Sequence, residues 1–184
     1  MKVITLAIAT LLLAGCAPAI KAPWPKSDMY IEPTGPDTAK IRVLGFTDST
    51  RVVTHSTCDN STSIHGQLRD PNSPEGKSPI TDKGYKKADL PQDGYPLDYY
   101  EFKVSSEGMT SISSSFSPTP GSICVLNSGW FKPEKGALYE LRNKVDRNGR
   151  ACIGQFYRID EKTGKAIQQS YSKKTVDEIL GCKA

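Results

Sequence analysis

The sequence predicts an all-β domain: an antiparallel β-sandwich with a short C-terminal helix and two disulfides. Three observations carry this. Seven stretches alternate apolar with polar residues or are rich in Val, Ile and Thr; joints dense in Gly, Pro, Ser and Asn separate them; and no stretch has the 3.6-residue apolar spacing of a long amphipathic helix. The chain has 184 residues, 37% of them hydrophobic, enough for one core but not for two enzyme domains. Its 24 basic and 20 acidic side chains leave a net charge of +4, too little for a nucleic-acid footprint.

Residues 17–37 contain Pro18, Pro23, Pro25, Pro33 and Pro36 and little apolar periodicity, which predicts a semi-extended tether. Trp24 and Tyr30 interrupt it and either sit at a membrane interface or dock onto the domain. From Ala39 the pattern alternates: Ala39, Ile41 and Val43 point one way, Lys40 and Arg42 the other, a half-buried strand. Residues 51–58, rich in Val and Thr, form the second. Residues 59–100 hold Pro71, Pro74, Pro79, Pro91 and Pro96 with few aliphatics and are expected as one long loop. Five basic against seven acidic residues there make the cluster from Lys83 to Lys87 a solvated stretch, not an anion site.

Strand patterning returns at Tyr100, Phe102 and Val104, followed by a turn at 105–108 and a Ser-rich strand with Ile112 and Phe116. Pro118-Thr119-Pro120-Gly121 is a turn before the short strand 123–126. A hairpin spans 137–160. Pairing Val145 with Cys152 across a two-residue Asn148-Gly149 turn would put Leu141 opposite Phe156 and mix polar with apolar residues on both faces. A four-residue turn with Gly149 in a bulge gathers Tyr139, Leu141, Val145, Ala151, Ile153, Tyr157 and Ile159 on one face, so this second register is the one expected. Thr175-Val176-Asp177-Glu178 is a capping-box pattern, which predicts one or two helical turns over 175–180. The general shape expected is immunoglobulin-like or transthyretin-like.

The N-terminus places the protein. Met1-Lys2 is a short positive region, and residues 3–14 are apolar apart from Thr5 and Thr10, too short to span a bilayer core of about 30 Å. The run ends in Leu13-Ala14-Gly15-Cys16, which resembles the lipobox of bacterial lipoproteins. The resemblance implies cleavage after residue 15 and acylation of Cys16. It leaves a mature chain of net charge +3, because residues 1–15 carry one lysine and no acid. Two or more acyl chains anchor stably, at about 0.8 kcal/mol per buried CH₂. Ala17 follows the cysteine where inner-membrane lipoproteins often carry aspartate, which implies the outer membrane, with the domain facing the periplasm. The organisation is then a signal peptide 1–15, a lipidated tether 16–37 and a domain 38–184. Trp130-Phe131-Lys132-Pro133-Glu134-Lys135-Gly136, followed by Tyr139-Glu140, resembles a segment of small uncharacterised proteobacterial lipoproteins.

With Cys16 lipidated, Cys58, Cys124, Cys152 and Cys182 remain, an even number in an oxidising compartment, so two disulfides are expected. The expected register turns Cys152 away from the core, which favours Cys152–Cys182 and Cys58–Cys124. A metal site of His55, Cys58 and His65 fits no usual zinc spacing, and no cofactor or metal is expected.

No catalytic residue emerges. His55 and His65 are the only imidazoles, no G-x-S-x-G elbow occurs, and a hydrolase using either His is the weakest reading. Lys162-Thr163-Gly164 and Ser170-Tyr171-Ser172-Lys173 match penicillin-binding motifs in the wrong order and spacing, so Thr163-Gly164 is a turn. The function expected is non-catalytic: a lipid-anchored protein that binds another envelope component, with Trp130, Phe131 and the long loop as contact candidates. The alternative is a periplasmic inhibitor of a cell-wall hydrolase.

Overall fold

A computed structural model of the chain describes residues 30–45, 50–55, 64–68, 82–92, 99–116, 123–146, 151–170 and 178. Nine strands lie among them: β1 (Thr38–Leu44), β2 (Thr50–His55), β3 (Ile64–Gln67), β4 (Tyr99–Ser105), β5 (Met109–Phe116), β6 (Cys124–Asn127), β7 (Leu138–Val145), β8 (Cys152–Ile159) and β9 (Ala166–Gln168). They form two sheets, one of five strands in the order β4-β1-β7-β8-β9 and one of four in the order β3-β2-β5-β6. The all-β class is as expected. The pairing is not wholly antiparallel: β1 runs parallel to β7, with Ile41 beside Tyr139 and Val43 beside Leu141. Parallel neighbours need a long crossover, and here the chain that builds the other sheet supplies it.

The alternation in β1 and β4 sets the core. Ala39, Ile41 and Val43, paired with Val104, Phe102 and Tyr100, turn inward. They join Tyr139, Leu141 and Phe156 from the same sheet and Val52 and Ile112 from the other in one cluster. Each fully buried large side chain here contributes about 1.5–3 kcal/mol. A polar layer crosses the same interior: Asn143 Nδ2 donates to Ser114 Oγ (3.0 Å) and to the Gly45 carbonyl (3.3 Å), and Thr50 bonds Ser114 (2.9 Å).

The hairpin takes the register with Val145 opposite Cys152 and Leu141 opposite Phe156, not the four-residue-turn register expected. The expectation assumed that one face meets water, whereas both faces are covered. Leu141 and Phe156 enter the core between the sheets, while Leu138, Tyr157 and Ile159 pack beneath Tyr85, Ala88 and Leu90. A register that mixes polar and apolar residues is therefore satisfied on each side.

The stretch 59–100 is not one loop. Its residues 64–67 form β3, and residues 82–92 lie as an extended strap across the outer face of the five-stranded sheet. Nor does the tether run to residue 37. Tyr30 docks onto the domain, its hydroxyl donating to the Lys103 carbonyl (2.9 Å) and its ring meeting Phe102 edge-on at 5.7 Å. Gly66 permits this, because a Cβ there would stand 2.3 Å from the Tyr30 Cα. Of the expected C-terminal helix, only Glu178 lies among the described residues, and it is helical.

Candidate functional site

β6 is the outer strand of the four-stranded sheet, bonded only to β5 among the described strands. Beyond Asn127 the chain keeps following β5. Ser128 N donates to the Ile112 carbonyl (2.8 Å), and Thr110 and Phe131 exchange backbone bonds of 2.8 and 3.0 Å. Asn127 faces Ser113 and Phe131 faces Thr110, so this strand carries one residue more than β5 over the interval, a bulge at 128–130. Gly129 takes a φ of +65° there, which side chains rarely tolerate.

The bulge separates the two aromatics that sequence reasoning nominated. Phe131 turns inward, its ring 4.7 Å from Phe156 and 5.2 Å from Tyr139, and so closes the core. Trp130 is half-buried and meets His55 edge-on at 5.0 Å, near the outer end of β2. The exposed apolar groups on this edge are Ile123, at 77% exposure, and Val125, at 67%. The run Ile123-Cys124-Val125-Leu126 resembles a wholly buried strand, and only its place after a Pro-Gly turn hints that it is an edge.

Phe116 opposite Cys124 and Val145 opposite Cys152 bring two cysteines to the same end of the domain. They are joined as Cys124–Cys152, with Cα atoms 5.8 Å apart, linking one sheet to the other. The expected Cys58–Cys124 and Cys152–Cys182 bridges are therefore wrong. The cause is the register: the observed pairing carries Cys152 to the β6 end of the neighbouring sheet. Cys16, Cys58 and Cys182 lie outside the described residues. His65 lies in β3, its backbone opposite Val53. No group of three His, Cys, Asp or Glu residues among the described residues could hold a metal ion.

The feature that sequence reasoning missed lies under the strap. Arg42, Glu101, Glu140 and Arg142 alternate with core residues, yet all four are buried. Glu101 Oε1 accepts from Arg42 Nε (2.8 Å), and its Oε2 accepts from the backbone N–H groups of Lys83 and Tyr85 (3.4 Å for Tyr85). Glu140 accepts from Arg42 Nη1 (3.0 Å) and from Arg142 Nε. Arg42 also donates to the Tyr85 (2.6 Å) and Lys86 (3.1 Å) carbonyls, and Arg142 to that of Pro91 (2.8 Å).

Both carboxylates are thus held on both oxygens, which suits a clamp on the strap backbone better than proton transfer. The adjoining cavity is about 130 Å³, below the roughly 300–1,000 Å³ of small-molecule pockets. Burial, then the charges of Glu32, Glu101 and Glu161, push the Tyr85 hydroxyl up to about 12. The strap also bonds the Lys162-Thr163-Gly164 turn, which is a turn as expected: Asp89 N donates to the Gly164 carbonyl at 2.7 Å. Two N–H groups of that turn, on Lys162 and Thr163, bond Asp160 Oδ1.

The chain matches no protein-family model, no curated protein and no solved structure.

Proposed function

We propose that this is a non-catalytic lipoprotein of the bacterial outer membrane, anchored through Cys16, whose two-sheet domain binds another envelope protein along the β6 edge. We read the two sheets as a sandwich of immunoglobulin-like or transthyretin-like kind. The disulfide supports the compartment, since a Cys124–Cys152 bond persists where thiols are oxidised, the setting that Leu13-Ala14-Gly15-Cys16 implies.

The exposed edge carries the binding reading. An outer strand offers unpaired N–H and C=O groups, and natural edges are usually protected by Lys, Pro or a cover. β6 has neither residue type and presents Ile123 and Val125 to solvent. Adding a partner strand would pair that backbone and cover both aliphatics.

The test is purification of the lipidated protein from mildly cross-linked envelopes, with mass spectrometry of what accompanies it. A stoichiometric envelope protein is expected, lost in Val125→Lys and reduced in Trp130→Ala. Capture unchanged in both variants would remove this edge from the function.

A further inference from the structure

The flank where the N-terminal arm reaches the domain has a different character from the β6 edge. Residues 30–34 are fixed at alternate positions. Tyr30 is seated against Phe102 and Gly66, while Glu32 accepts from Lys103 N (3.0 Å) and pairs with Lys83. Between them Ile31 is held outward at 79% exposure, the most exposed large aliphatic among the described residues. Beside it runs a groove of about 440 Å³ lined by Tyr30, Ile31, Glu32, Pro33, Thr34, Thr54 and Ser105. The Glu32 carboxylate on this flank is paired with the Lys83 ammonium.

Thirteen residues lie between Cys16 and Tyr30, a reach of at most about 50 Å when fully extended. They include Ile20, Trp24 and Met29 together with Lys21 and Lys26, apolar and cationic types that favour a headgroup layer. A chain anchored at Cys16 therefore meets the domain first at this flank. We propose that residues 30–34 and their groove rest on the bilayer that holds the acyl chains, with Ile31 entering the interfacial layer and holding the domain at a fixed attitude. This rests on the lipoprotein reading.

The test uses the full mature, lipidated chain in vesicles of phosphatidylethanolamine and phosphatidylglycerol, with or without brominated acyl chains. Trp24→Phe is the background, and Ile31→Trp is added to it; Trp130 is common to both. The tryptophan at position 31 should emit at shorter wavelength than in water and lose about half of its intensity to brominated lipid, as expected for a side chain about 5–10 Å into the interface. Vesicle-bound protein in which that emission is unquenched would overturn the proposal, leaving the groove for a protein or soluble ligand. Protein that lacks the acyl mass and fails to float with vesicles would overturn the lipoprotein reading as well. Intact mass tells the two failures apart. Ile31→Asp, at the same exposed position, should lower flotation of the non-acylated Cys16→Ser chain, and equal flotation of the two would also count against the contact.

Discussion

Along β1, β4 and β7 the five-stranded sheet buries residues on both faces and holds them by opposite means. On the inner face Ile41, Val43, Phe102 and Leu141 meet the other sheet through apolar contact. On the outer face the residues between them, Arg42, Glu101, Glu140 and Arg142, meet the strap through charge and backbone hydrogen bonds. Apolar packing is indifferent to the partner's backbone. The charged face instead grips carbonyls and N–H groups, so it can hold a strap whose own apolar content is little more than Tyr85, Ala88 and Leu90. A sheet can thus be covered on both sides by a sequence that alternates as if one side met water.

The sharpest contrast comes from truncation on each face. Phe102→Ala and Arg42→Ala should each cost about 3–5 kcal/mol in urea unfolding, the first by leaving a cavity and the second by leaving the buried Glu101 carboxylate without a counter-ion, while Glu140 keeps Arg142. They part company when the polar group is replaced by an apolar one. Arg42→Met with Glu101→Leu should recover part of the stability, because uncompensated charge is gone. It should still free the amides of Lys83 and Tyr85 for hydrogen exchange, since the strap loses its acceptor. Strap amides as protected as in the parent would show that the network is not the clamp.

The covalent link acts only on the inner side. Replacing Cys124 and Cys152 by Ser should cost about 3–4 kcal/mol by the loop-entropy relation for their separation of 28 residues, and should leave strap exchange unchanged until global unfolding.

A smaller effect is confined to the outer side. Gly164 has a φ of +84°, and a Cβ there would lie 2.9 Å from the Lys87 carbonyl. Gly164→Ala should cost more than about 1 kcal/mol and speed exchange at Asp89 N, with the core amides unmoved.

The weakest expected effect is alkaline. Burial, followed by the charge of Glu32, raises the Tyr30 hydroxyl above its usual 10.0, and Tyr85 is pushed up to about 12. Both hydroxyls keep their protons more firmly in the fold than in the unfolded chain. Their contribution is therefore complete below pH 10; that of Tyr85 is lost as pH rises through about 12, and that of Tyr30 at still higher pH. Tyr85→Phe should flatten the outer-face part of that loss, followed by absorbance of the tyrosinate.

Much of the fold was legible where one rule acted alone. Alternation in Ala39–Val43 and Tyr100–Val104 gave β1 and β4 with the correct inward set, and the Ser-rich run gave β5. Legibility failed where two rules competed. Sorting polar from apolar residues chose the wrong hairpin register, because the polar face is covered by the strap; that error then carried over to the disulfide. β3 was missed because four residues including His65 and Gly66 show little strand propensity, and Gly66 is there to admit Tyr30. At the candidate site Trp130 was legible as a conspicuous aromatic. Phe131 was not separable from it, because a one-residue bulge decides which of them faces the core.

The most direct test of the account is a non-reduced peptide map, with intact mass, of the protein isolated from cell envelopes. The expected result is an N-terminus at acylated Cys16 and a peptide pair joined through Cys124 and Cys152. An unprocessed Met1 terminus with free thiols at Cys124 and Cys152 would contradict it.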